Sequence, residues 1–175
     1  MTALDDAFAL GLTRRRALGA AACLLGGLAP LPARALKVGD PVPALALRAA
    51  DGSAVLPDSG WRALWLDFWA SWCGPCRQSF PWLNQMHERH RAAGLRIVGI
   101  SLDAQQPDAL AFLQQVPARF PIAFDPAAES GRVFDVKAMP SAYLIGADRR
   151  VLLAHRGFRN EDRPELERRI QAALA

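Results

Sequence analysis

LDFWASWCGPC, residues 66–76, is the stretch that decides the fold of this 175-residue chain. It begins inside an apolar run, residues 63–70, which predicts a buried strand, and it leads into residues 77–93, which predict a helix. Cys73 and Cys76 therefore lie at a strand-to-helix turn, where unpaired N–H groups and the positive end of the helix dipole stabilise a thiolate. With two residues between the cysteines, one sulfur can attack a foreign disulfide and the other can resolve the mixed disulfide.

The Cys-x-x-Cys pair predicts redox chemistry rather than zinc binding. Such a pair can be half of a four-thiolate zinc site, but the remaining cysteine, Cys23, lies in a segment that we expect to be removed. A closed structural disulfide and an inert relic are the alternatives. Cys73 comes first, at the mouth of the turn, where we expect it to be exposed and to act as the nucleophile. Cys76, inside the helix, is the predicted resolving thiol, and we expect no metal and no cofactor beyond this pair.

The same stretch resembles the active site of thioredoxins. Asp67 to Ala70 and Trp72 to Cys76 match the strand and turn of that family residue by residue, and Pro81 stands at the family's offset after the second cysteine. The resemblance implies that Trp72 covers the site and that Gly74 and Pro75 contact the substrate. Gly-Pro between the cysteines further implies a reducing poise, near the ~−270 mV of thioredoxin.

Residues 134–140, which read FDVKAMP, resemble the thioredoxin stretch Tyr-Gly-Val-Arg-Gly-Ile-Pro. In that family the proline follows a cis peptide bond and lies beside the cysteines. The resemblance therefore implies a cis Met139–Pro140 bond, although most X-Pro bonds are trans. It also implies that the backbone of Met139 is free to pair with an extended substrate, so Met139 and Pro140 join the predicted substrate-binding residues.

Asp67 is a candidate catalytic residue because it interrupts an apolar strand. A carboxylate there is costly unless it is paired or protonated. The resemblance places it behind Cys76, where it can take up the proton of the resolving thiol, directly or through water. Thioredoxins commonly carry a lysine beside this acid, but Gly99 stands at the aligned position, so we expect a high pKa for Asp67. The alternative is that Asp67 points to solvent at a strand irregularity.

The rest of the chain predicts an α/β, thioredoxin-like fold with a central mixed β-sheet flanked by helices. A second core strand at residues 95–102 follows the helix and is parallel to the first through a right-handed crossover. Two later strands form an antiparallel hairpin, and residues 161–175 form a C-terminal helix. A short N-terminal β-hairpin at residues 45–56 and a central αβ insertion at residues 107–124 are typical of periplasmic reductants of the TlpA/ResA type.

The N-terminus predicts export. Residues 13–16, Thr-Arg-Arg-Arg, form a basic region, residues 17–33 carry no charge, and Ala33-Arg34-Ala35 has the form of a cleavage site. We expect residues 1–35 to be a signal peptide cleaved after Ala35, and residues 36–175 to be the mature domain in the periplasm. The sequence TRRRAL resembles a twin-arginine signal. The general secretion route, an uncleaved membrane anchor and lipidation at Cys23 are the alternatives.

These features predict a thiol–disulfide oxidoreductase that reduces disulfides of periplasmic client proteins through a Cys73–Cys76 dithiol/disulfide cycle. By resemblance, a membrane thiol carrier would supply its electrons. Family members serve cytochrome c maturation, copper-site assembly or general thiol reduction, and the sequence does not choose among these clients. We expect a monomer.

Other functions fit the sequence less well. Copper chaperones of the thioredoxin fold have a longer spacing between their cysteines and a well-placed histidine, whereas this chain offers only the distant His155. Peroxiredoxins carry a different pattern before their nucleophile. The formal net charge of +4 is small and the basic residues of the mature domain are scattered, so we expect no nucleic-acid partner.

Overall fold

The computed structural model of the chain describes residues 36–56 and 60–175, so the predicted signal peptide at residues 1–35 lies outside the described residues. Within these described residues, one mixed sheet contains five strands: β1 (Ala63–Trp69), β2 (Leu95–Ser101), β3 (Ile122–Phe124), β4 (Ser141–Gly146) and β5 (Val151–Arg156). The strand order is β3-β2-β1-β4-β5. β1, β2 and β3 are parallel, whereas β4 is antiparallel to both β1 and β5. The predicted mixed sheet, parallel crossover and C-terminal hairpin are therefore confirmed.

In the described part of the chain, four α-helices accompany the sheet: α1 (Gly74–His90), α2 (Gln106–Gln115), α3 (Glu129–Val133) and α4 (Arg163–Leu174). α1 begins before the predicted residue 77 because Cys73 caps its first turn. α3 begins at Glu129, since Ala128 before it has a φ of 52° and cannot belong to a right-handed helix. No helix within the described ranges is long and apolar enough to cross a membrane.

β1 is the centre of the molecule, and all seven of its residues are buried. Because successive side chains of a strand point to opposite faces, β1 contributes to two cores. The α1-side core includes Trp65, Trp69, Phe80, Leu83 and Met86. The far-side core includes Leu66, Phe68, Phe134, Tyr143 and Val151. Burying each such side chain contributes about 1.5–3 kcal/mol, so the strand that leads to the cysteines is rigidly held.

The predicted N-terminal hairpin is present in a short form. Arg48 and Ala54 form an isolated bridge, and the Ala49 N–H donates to the Ser53 carbonyl at 2.9 Å. Arg48 also pairs with Phe124, whose N–H donates to the Arg48 carbonyl at 2.9 Å. The hairpin therefore covers the outer edge of β3, which would otherwise present unpaired backbone groups.

The predicted central insertion is confirmed as α2 followed by β3. Phe112 of α2 is buried, with its ring centroid 4.8 Å from that of Trp69 and 5.2 Å from that of Phe80. β3 adds a parallel strand beyond β2. The insertion thus extends the sheet and completes the α1-side core beneath the cysteine-bearing turn.

Candidate active site

Cys73 and Cys76 form a disulfide, with an S–S distance of 2.02 Å and a Cα–Cα distance of 5.3 Å. Cys73 is the N-cap residue of α1, and its Sγ accepts a hydrogen bond from the backbone N–H of Cys76 at 3.2 Å. After reduction, the same N–H and the helix dipole would both favour the thiolate of Cys73. The local sequence produces this arrangement because Pro75 occupies the first helical turn, where its missing N–H has no cost.

The sulfur atoms of the turn are less exposed to solvent than the sequence indicated. Cys73 is only 3% exposed and Cys76 is fully buried, so the expectation of an exposed Cys73 is wrong for the disulfide form. The reason is the cross-link to Cys76, which lies on the buried side of α1 and draws the Cys73 side chain inward. The exposed groups of the turn are Trp72, at 72%, and the neighbouring Gly74 and Pro75.

Asp103 fixes the turn to the end of β2. Its Oδ2 accepts the Ser71 N–H at 2.9 Å, its Oδ1 accepts the Ser71 hydroxyl at 2.7 Å, and the Ser101 hydroxyl donates to Oδ2 at 3.0 Å. The carboxylate is 6% exposed. The sequence analysis did not single out Asp103 as a functional residue. The missed signal was a carboxylate placed directly after a buried strand, at the same sheet edge as the cysteines.

Asp67 is buried in the middle of β1, at 2% exposure, so the solvent-facing alternative is wrong. Its neighbours across the sheet are Gly99 on β2 and Ala142 on β4, which offer no charged partner. Burial raises the pKa of Asp67 to about 7, and the Trp65 indole N–H opposes this shift to a smaller degree. The direction agrees with the expectation from the missing lysine. Asp67 shares its face of β1 with Trp65 and Trp69, and Cys76 packs in the same core.

The Met139–Pro140 peptide bond is cis, as the resemblance implied. The Pro140 carbonyl accepts the Gly157 N–H at 2.7 Å, and the Ser141 hydroxyl donates to the Ala138 carbonyl at 2.7 Å. Met139 packs against the core that contains both cysteines. Within the described ranges, no hydrogen bond engages the backbone of Met139.

Histidines and carboxylates do not converge on a metal site anywhere in residues 36–56 and 60–175. His155 lies on β5, with its Nε2 at 3.4 Å from Oδ2 of Asp162. His90, near the end of α1, lies 3.6 Å from Glu167 of α4. Each of these histidines therefore faces a carboxylate of a neighbouring segment.

The sheet topology, the capped Cys-x-x-Cys disulfide and the cis-proline loop together define a thioredoxin-like thiol–disulfide oxidoreductase. The chain belongs to the Redoxin family, whose model matches residues 37–170. The thiol-disulfide oxidoreductase ResA of Bacillus thuringiensis subsp. konkukian (strain 97-27) is 24% identical over 131 residues, which cover 74% of this chain and 76% of that protein.

Solved structures agree with this assignment. A protein assigned as thiol:disulfide interchange protein DsbE, from Chlorobium tepidum, is 49% identical, with a TM-score of 0.77 over 81% of this chain and all of that one. StoA from Bacillus subtilis has a TM-score of 0.62 at 21% identity, over 75% of this chain and 99% of that one, and shows the same fold. The predicted ResA/TlpA-like class is confirmed.

Proposed function

We propose that this protein reduces disulfides of exported client proteins in the periplasm, with Cys73 as nucleophile, Cys76 as resolving thiol and Asp67 as proton acceptor. The observation that carries the proposal is the hydrogen bond from the Cys76 N–H to Cys73 Sγ at the start of α1. This N–H is aimed at the sulfur that must become anionic. A helix N-terminus with such a donor favours a thiolate at the first cysteine.

The cycle begins with the reduced pair. The Cys73 thiolate attacks one sulfur of a client disulfide, an S–S bond forms between Cys73 and the client, and the other client sulfur leaves as a thiolate. Cys76 then gives its proton to Asp67 and attacks Cys73 Sγ, which releases the second client thiolate. Two electrons pass to the client, and the protein ends with the Cys73–Cys76 disulfide that the structure contains.

Asp67 suits the proton-transfer step because its pKa is raised to about 7 by burial. An acceptor works best when its proton affinity lies near the working pH. Both Asp67 and Cys76 lie in the interior on the α1 side of the sheet. Water is therefore largely excluded, and an internal acceptor is needed for the proton of the resolving thiol.

Client docking would use the surface around the turn. Trp72, Gly74 and Pro75 are exposed beside Cys73. The unengaged backbone of Met139 offers hydrogen bonds to an extended client segment, in the manner of an added strand. Disulfides in flexible segments would therefore be preferred, because a folded client cannot present its backbone to this loop.

The reducing direction of the cycle and the periplasmic location are inferred from the sequence. Gly74-Pro75 between the cysteines supports a potential near that of thioredoxin, ~−270 mV. The predicted signal peptide supports export, and a membrane thiol carrier would return the protein to its reduced state. We include cytochrome c maturation in the proposal as one source of clients, because members of the TlpA/ResA group work in that process.

The proposal is tested by following the reduction of insulin by dithiothreitol in the presence of the full-length protein. Cys73→Ser should abolish the catalysed rate, whereas Cys76→Ser should accumulate a mixed disulfide with the client. Cys23→Ser is the matched control and should leave the rate unchanged. Catalysis by Cys73→Ser at the wild-type rate would refute the proposed nucleophile.

The direction of the cycle is tested separately by equilibrating the purified protein in glutathione or dithiothreitol buffers. A potential near −250 mV or below, on the scale where thioredoxin lies at ~−270 mV, supports a reductant. A potential of about −150 mV or above would show that the protein oxidises or isomerises its clients.

A further inference from the structure

Tyr143 on β4 carries a buried hydroxyl at the start of the loop that leads to the cis peptide bond. The residue is 3% exposed and packs in the far-side core. Its hydroxyl donates to the Phe134 carbonyl at 2.7 Å. Packing needs only the ring, and a buried hydroxyl is costly unless it is hydrogen-bonded. The bond therefore indicates a task beyond packing, which is to hold the start of the cis-proline loop, residues 134–140.

The Phe134 carbonyl controls the direction in which the loop leaves α3. Phe134 is the C-cap residue of α3, where carbonyl groups lack partners within the helix. This carbonyl belongs to the peptide unit that joins Phe134 to Asp135, and Asp135 has a φ of 51°. A residue other than glycine keeps this left-handed conformation only where its surroundings hold it. By fixing the peptide unit, the Tyr143 hydroxyl holds Asp135 in that conformation and directs the chain toward Met139.

The other end of the cis-proline loop is held from the same strand. The Ser141 hydroxyl, at the start of β4, donates to the Ala138 carbonyl at 2.7 Å. Tyr143 and Ser141 thus bind the loop from β4 at its first residue and near its last. Met139, whose backbone the proposed function assigns to the client, lies between the Ala138 carbonyl and Pro140. Its position therefore depends on both hydroxyl groups.

The Tyr143 ring also connects the loop to the strand that leads to the cysteines. Its centroid lies 4.7 Å from that of Phe134 and 6.0 Å from that of Phe68 on β1. The centroids of Phe68 and Phe134 are 5.1 Å apart, so the three rings contact one another. Because β1 runs into the turn that carries Cys73, these rings give the turn and the loop a common support.

We propose that Tyr143 is a positioning residue whose hydroxyl holds the cis-proline loop in the conformation that receives an extended client segment. This inference rests on the proposed function, in which the client pairs with the backbone of Met139. Cys73 and Cys76 belong to the α1-side core, whereas Tyr143 belongs to the far-side core. Loss of the hydroxyl should therefore weaken docking of a peptide and leave the chemistry of the cysteine pair unchanged.

The test compares two substrates of the reduced full-length protein, with Cys23→Ser in every variant so that only the active pair reacts. One is an unstructured peptide with an internal disulfide, and the other is 5,5′-dithiobis(2-nitrobenzoate), a small disulfide without a peptide backbone. In Tyr143→Phe, the rate constant for the peptide should fall by about three- to tenfold, the effect of one buried hydrogen bond. The rate constant for the small disulfide should stay within about twofold, and the redox potential of the pair should be unchanged.

Val151→Ala is the matched control, because it removes buried methyl groups from the same core at the other end of β4. It should lower stability but keep the ratio of the two rate constants. The inference would be overturned by an unchanged ratio in Tyr143→Phe, or by an equal change of the ratio in Val151→Ala.

A second measurement decides the matter if Tyr143→Phe does not fold. The chain contains a single tyrosine, so tyrosine labelled with ¹³C at Cζ gives one NMR signal. Trapping the peptide on Cys73 of the Cys76→Ser variant should shift this signal, and a constant signal would refute the inference. The small disulfide tests the proposed function separately, since a wild-type protein that reduces neither substrate would contradict that function itself.

Discussion

One buried carboxyl, Asp67, makes the stability of this protein depend on pH. Its pKa is about 7 in the folded protein against an ordinary value of 3.8. Between these values the folded state holds a proton that the unfolded state has lost, so stability falls as pH rises. The stability that the folded protein has with a protonated Asp67 is fully present below about pH 4 and is lost as pH rises through about 7. The ionised carboxyl then costs the folded state on the order of 4 kcal/mol.

Asp67→Asn should therefore stabilise the oxidised protein at pH 8, by on the order of 2–4 kcal/mol, because the amide mimics the protonated acid. The gain should shrink as pH falls toward 4. Denaturant unfolding at pH 4.5 and pH 8 measures both values. Asp108→Asn, at the exposed start of α2, is the control and should change the unfolding free energy by less than about 1 kcal/mol. A variant no more stable than wild type at pH 8 would contradict a desolvated Asp67.

At the scale of elements, β2 packs closely against neighbouring side chains at Gly99. A Cβ added there would lie closer to Ile122, Phe120 and Trp69 than most Cβ atoms lie to their neighbours in real proteins. Gly99→Ala should therefore cost about 1–3 kcal/mol through overpacking, as measured by chemical denaturation. Gly74→Ala is a matched control for stability alone, since no atom lies within 4 Å of its added Cβ. Equal stabilities of the two variants would show that the sheet relaxes freely at Gly99.

The link between β2 and the cysteine-bearing turn gives a second prediction at this scale. Asp103→Ala leaves the Ser71 N–H and hydroxyl without their acceptor, so it should cost about 2–3 kcal/mol. It should also speed hydrogen exchange of the Ser71 amide. Ser71→Ala removes only the hydroxyl bond and should cost about 1 kcal/mol, with the amide still protected. Unchanged exchange in Asp103→Ala would show that the carboxylate does not hold the turn.

The elements could be predicted from sequence more fully than the contacts between them. Periodicity located β1 and α1, and burial of Asp67 followed from its place in an apolar run. The Asp103–Ser71 link joins residues 32 apart, which no local pattern encodes. The burial of Cys73 could not be predicted either, because it depends on the disulfide to Cys76, whose place in the core is a tertiary feature.

At the scale of the whole molecule, two cores share one sheet, and we expect them to unfold together. Phe68 lies in the far-side core and Phe80 in the α1-side core, and both are fully buried. Phe68→Ala and Phe80→Ala should each cost about 3–5 kcal/mol. Each variant should keep a single transition with an unchanged denaturant slope by circular dichroism. Leu110→Ala, at an exposed position, should cost less than about 1 kcal/mol. A second transition in either phenylalanine variant would show that the cores are independent.

The exposure of Trp72 gives the molecule a built-in optical reporter. Trp65, Trp69 and Trp82 are buried, whereas the Trp72 ring projects beside the cysteines into solvent. Its indole emission should therefore be the most sensitive to iodide quenching, and a docked client that covers the ring should shift that emission to the blue. Rapid-mixing fluorescence could then time the arrival of a client separately from the exchange of its sulfurs.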